Sequence, residues 1–203
     1  MHPNPAFRQA EAAANLRFAA ERGFGMLTAA GPDGPLAAHV PFLLEGGTVE
    51  LHLVRSNPLA RALAEGPVAA LLAVSGPDGY VSPDWYGADD QVPTWNYVAV
   101  HLRGALRLAP PETLRGHLDR VSARMEAGLG KTPWTTAKMD PEVMARMMRG
   151  IVPAVLEVAG VEGTWKLNQN KEAAARRAAA ARIEGSHGAD LALLAALMRD
   201  PPA

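Results

Sequence analysis

The stretch Leu36-Ala37-Ala38-His39-Val40-Pro41-Phe42-Leu43-Leu44-Glu45-Gly46-Gly47-Thr48-Val49-Glu50-Leu51-His52-Leu53-Val54 decides the architecture. Two β-type runs, Leu36 to Leu44 and Val49 to Val54, flank a glycine pair, which reads as a hairpin-type connection. Upstream, Gly25 to Ala30 joins the first run through Gly31-Pro32-Asp33-Gly34. Downstream, Val68 to Ser75 is followed by Gly76-Pro77-Asp78-Gly79, expected to be another turn. Further strands are expected at Val92 to Leu108, at Ile151 to Ala159 and, briefly, near Thr164 to Leu167. Helix starts carry one signature: Asn4-Pro5, Asn57-Pro58 and Asp140-Pro141 each set an N-cap acceptor before a proline whose fixed φ suits the first helical position. The first helix is expected from Pro5 to Arg22, ending at Gly23, with others over Pro111 to Ala127 and between Pro141 and Gly150. Strands joined by tight turns, with one short helix among the first four, imply a mainly β, antiparallel meander that closes into a small barrel with helices outside.

The end of the chain differs. Lys171 to Ile183 is rich in alanine and arginine, Gly185-Ser186-His187-Gly188 interrupts it, and Ala189 to Met198 resumes an apolar helix. The expected organisation is a barrel domain over 1–170 and a helical appendage over 171–203, which docks on the barrel or on a second copy. Four cations, Lys171, Arg176, Arg177 and Arg182, face Glu172 alone in this tail, but at helical spacing they form no single stripe. The helix after the glycine break offers no Arg, Lys, Asn or Gln to reach bases, so the segment is not built for sequence-specific DNA readout.

Composition bounds the rest. With 203 residues and 48% apolar content, core packing stabilises the fold without staples. The absence of cysteine excludes disulfides, thiolate catalysis and cysteine-held metals, and agrees with a cytoplasmic protein. No apolar run reaches the ~18 residues of a membrane helix, and a net charge of −1 gives no global pull towards nucleic acid. Gly128-Leu129-Gly130-Lys131-Thr132 mimics part of a phosphate-binding loop but lacks its first glycine, since Met125 stands there. The six histidines are too far apart for a local metal motif, and no Gly-x-Ser-x-Gly elbow is present.

Three features carry candidate chemistry. All three tyrosines and two of the four tryptophans fall between Tyr80 and Tyr97, a concentration suited to a planar ligand or an interface. In Val54-Arg55-Ser56-Asn57-Pro58-Leu59-Ala60-Arg61 a strand end runs into a helix start, where free N–H groups, Arg55, Ser56 and Arg61 suit an anion such as phosphate. A third stretch, Thr164 to Asn170, sets one cation and three carboxamides beside Trp165 and Leu167.

Gly79-Tyr80-Val81-Ser82-Pro83-Asp84-Trp85-Tyr86, Val92-Pro93-Thr94-Trp95-Asn96-Tyr97 through His101 and Gly104, Gly150-Ile151-Val152 and Lys166-Leu167-Asn168-Gln169-Asn170, in this order, resemble the PaiB family of FMN-binding negative transcriptional regulators. The resemblance covers nearly the whole chain and weakens after about Arg177. It implies a flavin split β-barrel, antiparallel and Greek-key-like, and a homodimer with FMN sites built from both chains. It further implies His39, Val40 and Pro41 beside the flavin ring, Arg55, Ser56, Asn57 and Arg61 around the phosphate, Trp95, Asn96 and Lys166 approaching from the partner subunit, and Gln169 among the cofactor-binding residues. Asn168 stands where the family pattern usually has serine. The resemblance leaves DNA contact to the chain itself or to a regulatory protein partner. The competing readings are a flavin-dependent oxidoreductase, either an NAD(P)H:flavin reductase or a pyridoxamine-phosphate-oxidase-like enzyme, and a haem binder using His39, His52 or His101.

Overall fold

The protein is described by a computed structural model covering residues 1–202. Its strands are β1 (Phe24–Gly31), β2 (Gly34–Glu45), β3 (Thr48–Val54), β4 (Val68–Val81), β5 (Thr94–Leu108), β6 (Ile151–Lys166) and β7 (Gly188–Ala189). They pair in the order β1-β2-β3-β6-β5-β4-β7, and β1 also pairs with β4, so the first six strands close on themselves. The helices are α1 (Ala12–Arg22), α2 (Pro58–Ala64), α3 (Leu114–Glu126), α4 (Pro141–Met148), α5 (Ala173–Ala180) and α6 (Leu191–Arg199). An antiparallel barrel with flanking helices is therefore what the sequence forms. The chain divides into two compact units, one holding 19–73 and 102–160, the other holding 1–18, 74–101 and the residues from Val161 on.

In the first unit, β1 pairs with β2 from Phe24↔Pro41 to Gly31↔Gly34, and β2 with β3 from Phe42↔Leu51 to Glu45↔Thr48. Gly46 and Gly47, with φ of 54° and 82°, make the β2–β3 turn, which a Cβ at both positions would strain. β3 continues antiparallel to β6 from Thr48↔Glu157 to Val54↔Ile151, and β1 meets β4 from Met26↔Ala73 to Ala29↔Ala70. Period-two alternation sends Val49, Leu51 and Leu53 of β3 inward to join Leu27, Phe42, Leu72, Leu102, Leu106 and Leu156, leaving Glu50 and His52 on the outer face. Asn57 caps α2 by accepting from the Leu59 N–H at 2.9 Å, and Asp140 caps α4 by accepting from Glu142 and Val143.

The second unit buries Val81, Tyr86, Val98, Trp165 and Leu167 against Ala179, Ala180, Ile183, Leu194, Ala195 and Met198. The segment after Lys171 thus supplies half of this core. It is tied down by Ser186, whose hydroxyl donates to the Tyr80 carbonyl at 2.7 Å, and by the short pairing Asp78↔Ala189 and Gly79↔Gly188.

Three local expectations are corrected. The expected helix over Pro5 to Arg22 is a 3-10 turn at Pro5–Phe7 and then α1 from Ala12, because Phe7 is buried and the His2 N–H donates to Thr164 Oγ1 at 3.2 Å. Gly76-Pro77-Asp78-Gly79 is no turn: β4 runs straight through it. The two strands expected at Ile151 to Ala159 and Thr164 to Leu167 are one strand, β6.

Candidate functional site

On the barrel unit, β1 and β2 present an apolar, aromatic outer face. Met26 pairs with His39 and Phe24 with Pro41, and Phe24 and Met26 are 53% and 39% exposed. The rings of Phe24 and His39 lie nearly parallel, 22° apart with centroids at 6.3 Å. Between His39 and Pro41, Val40 turns inward and is buried. Exposed ring and thioether surface on a rigid sheet suits a planar, polarisable ligand.

Where β3 ends and α2 begins, Arg55 and Ser56 are exposed and Arg61 points out from α2. Asn57 is committed to capping α2. Arg55 is partly engaged: its Nε donates to the Arg149 carbonyl at 3.0 Å and one terminal nitrogen to the Ile151 carbonyl at 3.4 Å, while its backbone N–H donates to the Gly150 carbonyl at 2.8 Å. No acidic residue stands in the first turn of α2. The free N–H groups expected at this junction are mostly absent, because Pro58 has none and those of Arg55, Asn57, Leu59 and Arg61 already donate to Gly150, Val54 and Asn57. What remains, two cations and a hydroxyl, matches a phosphate monoester. The residues of this unit therefore fit a flavin mononucleotide, with aromatic sheet surface for the ring and cations for the phosphate.

The second unit holds the other predicted residues. Trp95, 43% exposed, donates from Nε1 to Asp78 Oδ1 at 3.1 Å and meets Tyr80 edge-on at 6.4 Å. Lys166 donates to the Thr94 hydroxyl and lies 6.0 Å from the centre of the Phe7 ring, and burial holds its pKa below the ordinary lysine value. Gln169 braces its own loop, accepting from the Leu167 N–H at 2.8 Å and donating to the Trp165 carbonyl. Asn96 is fully buried, with neither end of its carboxamide hydrogen-bonded. Asn168 adopts a left-handed conformation, φ 64°, beside Tyr86. Burial raises the Tyr86 hydroxyl pKa, and the nearby Asn168 side chain partly offsets it. The structure thus gathers His39 and Pro41 on one sheet face and Arg55, Ser56 and Arg61 at one junction, while Val40 and Asn96 are buried, Asn57 caps α2 and Gln169 braces its own loop.

Sequence reasoning missed one polar cluster. On the outer face of β3, His52 Nδ1 lies 3.2 Å from His117 Nε2 of α3, and His117 Nδ1 lies 3.6 Å from Glu50 Oε2, which also pairs with Arg120. His117 is buried. The alternation of β3 signalled that Glu50 and His52 share a face, but nothing local named a partner 65 residues away. Among the described residues no group of three or more His, Cys, Asp or Glu is placed to hold a metal ion, and no helix is long and apolar enough to cross a membrane.

Residues 1–160 match the family described as "Putative FMN-binding domain". Over 187 residues, 90% of this chain and 89% of the relative, the sequence is 26% identical to protease synthase and sporulation protein PAI 2 of Bacillus subtilis. Among solved structures, the FAD and heme binding protein of Mycobacterium smegmatis superposes with a TM-score of 0.58 at 16% identity, covering 79% of this chain and 73% of that one. The flavocytochrome Anf3 of Azotobacter vinelandii gives 0.59 at 13% identity, covering 81% and 72%. At these identities the two structures speak to fold alone.

Proposed function

Since the chain belongs to the PaiB-type family of FMN-binding domains, we propose that it is a cytoplasmic, homodimeric flavin-binding regulator whose affinity for FMN resides mainly in the barrel unit. The observation that carries this is the presence, in one unit, of an exposed Phe24–Met26–His39 face and an exposed Arg55–Ser56–Arg61 cluster. In this reading the guanidinium groups of Arg55 and Arg61 and the Ser56 hydroxyl hold the phosphate, while His39 and Pro41 bear on the ring. Trp95 and Lys166 are offered by each protomer to the site of its partner, Trp95 as ring surface and Lys166 as a cation whose partial burial favours an anionic neighbour. Val40, Asn57, Asn96 and Gln169 position those groups from behind. Bound flavin supplies reversible electron and hydride acceptance.

Regulation then passes through a change in the dimer or in a protein partner. The near-neutral chain and the scattered tail cations are poorly suited to holding DNA, since phosphate neutralisation supplies much of that affinity. The test is absorption spectroscopy of purified protein with added FMN after a sizing column. Flavin absorbance near ~450 nm eluting at dimer size, with NAD(P)H consumption no faster than free FMN gives, is the expected result. A colourless protein overturns the cofactor reading, and catalysed NAD(P)H turnover replaces the regulator by an oxidoreductase.

A further inference from the structure

We propose that His52, His117 and Glu50 form an acid-sensitive clasp that fastens α3 to β3. The two imidazoles meet nitrogen to nitrogen at 3.2 Å, with their planes 65° apart. Such a contact holds only while one nitrogen carries a proton and the other does not. Glu50 selects which. Its carboxylate, 3.6 Å from His117 Nδ1, favours a proton there. That leaves His117 Nε2 bare to accept from His52 Nδ1–H, and gives a chain running from His52 through His117 to Glu50.

The charged groups around this chain are few. Glu50 faces it from β3 and Arg120 from α3, and Arg120 is itself paired with Glu50. Arg107 of β5 and Glu112, just ahead of α3, line the same cavity of about 340 Å³, which is bordered by Glu50, His117 and Arg120. Arg107 is neutralised by Glu157 at 3.0 Å. From β6 the cavity is lined by Pro153, Ala154 and Val155, which carry no charge.

The first proton taken up leaves the clasp closed, because a doubly protonated His52 still donates from Nδ1 to His117. The second sets N–H against N–H and opens it. Burial lowers both imidazoles below the ordinary histidine value, and for His117 the neighbouring His52 and Arg120 act the same way while Glu50 opposes them. A depressed histidine favours the neutral folded form, so the clasp's contribution is complete above the ordinary histidine pKa. It is lost as pH falls from there through the folded values. Opening frees α3, the element that carries His117 and Arg120 and whose Arg124 also donates to the Ala20 carbonyl.

Amide hydrogen exchange of the full chain tests this between about pH 7 and about pH 5, after correction for intrinsic rates. In the wild type, α3 amides are expected to lose protection by about tenfold relative to the inner-facing residues of β3, and His52→Leu is expected to abolish that acid response because His117 then takes up its proton without meeting a second imidazole N–H. An unchanged α3 in the wild type, or an equal acid response in His52→Leu, overturns the proposal. Side-chain nitrogen NMR of the wild type gives an answer independent of how any variant folds. Two coupled titration steps shared by His52 and His117 uphold the clasp, and two independent single-step titrations refute it.

Discussion

Arg55, Ser56 and Arg61 stand exposed where β3 gives way to α2, whereas Asn96, Trp165 and Gln169 of the other unit turn their polar atoms inward or into their own loop. Both regions are polar and both carry residues singled out by sequence. They differ in exposure. An exposed side chain keeps donors that can turn to a ligand, as Arg55 does beside its two bonds to backbone, while a buried one faces only the interior, whether paired as Trp165 is or unpaired as Asn96 is. The same residue types therefore predict opposite consequences of substitution in the two regions, and the contrast can be attacked from either side.

The largest effect belongs to the inward region. Trp165 packs edge-on against Phe18 at 5.2 Å and donates from Nε1 to Asn15 Oδ1 at 2.8 Å, in the core that the tail completes. Trp165→Ala removes that ring and strands the Asn15 oxygen, so a loss of about 3–5 kcal/mol is expected in denaturant unfolding. A loss below about 1 kcal/mol would mean that this region is not held by its polar interior.

The next effect is on ligand and not on fold. Arg55→Ala with Arg61→Ala should weaken FMN by well over tenfold in a fluorescence titration, since each charge-assisted bond contributes about 1.5–3 kcal/mol. Thermal stability should fall only slightly, through the loss of the two bonds from Arg55 to the Arg149 and Ile151 carbonyls. If stability collapses while FMN affinity holds, Arg55 is a strut between β3 and the start of β6, and the phosphate lies elsewhere.

How far the sequence foretells such differences depends on whether the cause is local. The β2–β3 hairpin was legible because Gly46 and Gly47 both take positive φ in a turn that sits between its own strands. The Arg55 junction was legible for the same reason, its cap and helix start lying within a few residues. Gly76-Pro77-Asp78-Gly79 misled because its glycines serve packing. A Cβ at Gly76 would lie 2.5 Å from the Phe18 ring and 2.9 Å from Val98 Cβ, and one at Gly79 would lie 2.8 Å from Leu191. Asp78 meanwhile accepts from Trp95. Those neighbours are remote in sequence, as is the partner of His52, and composition at the site carries no trace of them. Asn168 in its left-handed turn shows the converse: a residue that tolerates positive φ was visible in the sequence, but the buried Tyr86 beside it was not.

The smallest effect is the most discriminating. Asn96 is fully buried with both carboxamide atoms unpaired, a state that costs stability unless something outside the isolated chain answers it. Leucine has nearly the same branched shape and brings no polar atom, so Asn96→Leu should leave the flavin-free protein as stable as the wild type, or more stable by about 1 kcal/mol. If Asn96 only supports Trp95 from behind, the variant should bind FMN with unchanged affinity. If the carboxamide is instead reached by flavin or by the partner subunit once the dimer is loaded, the variant gains stability without ligand and loses affinity with it. Thermal melts with and without FMN separate these outcomes, because ligand-linked stabilisation follows affinity for the folded state alone. An unpaired amide retained at a cost to the empty protein would then move Asn96 out of the inward region and place it with Arg55 and Arg61.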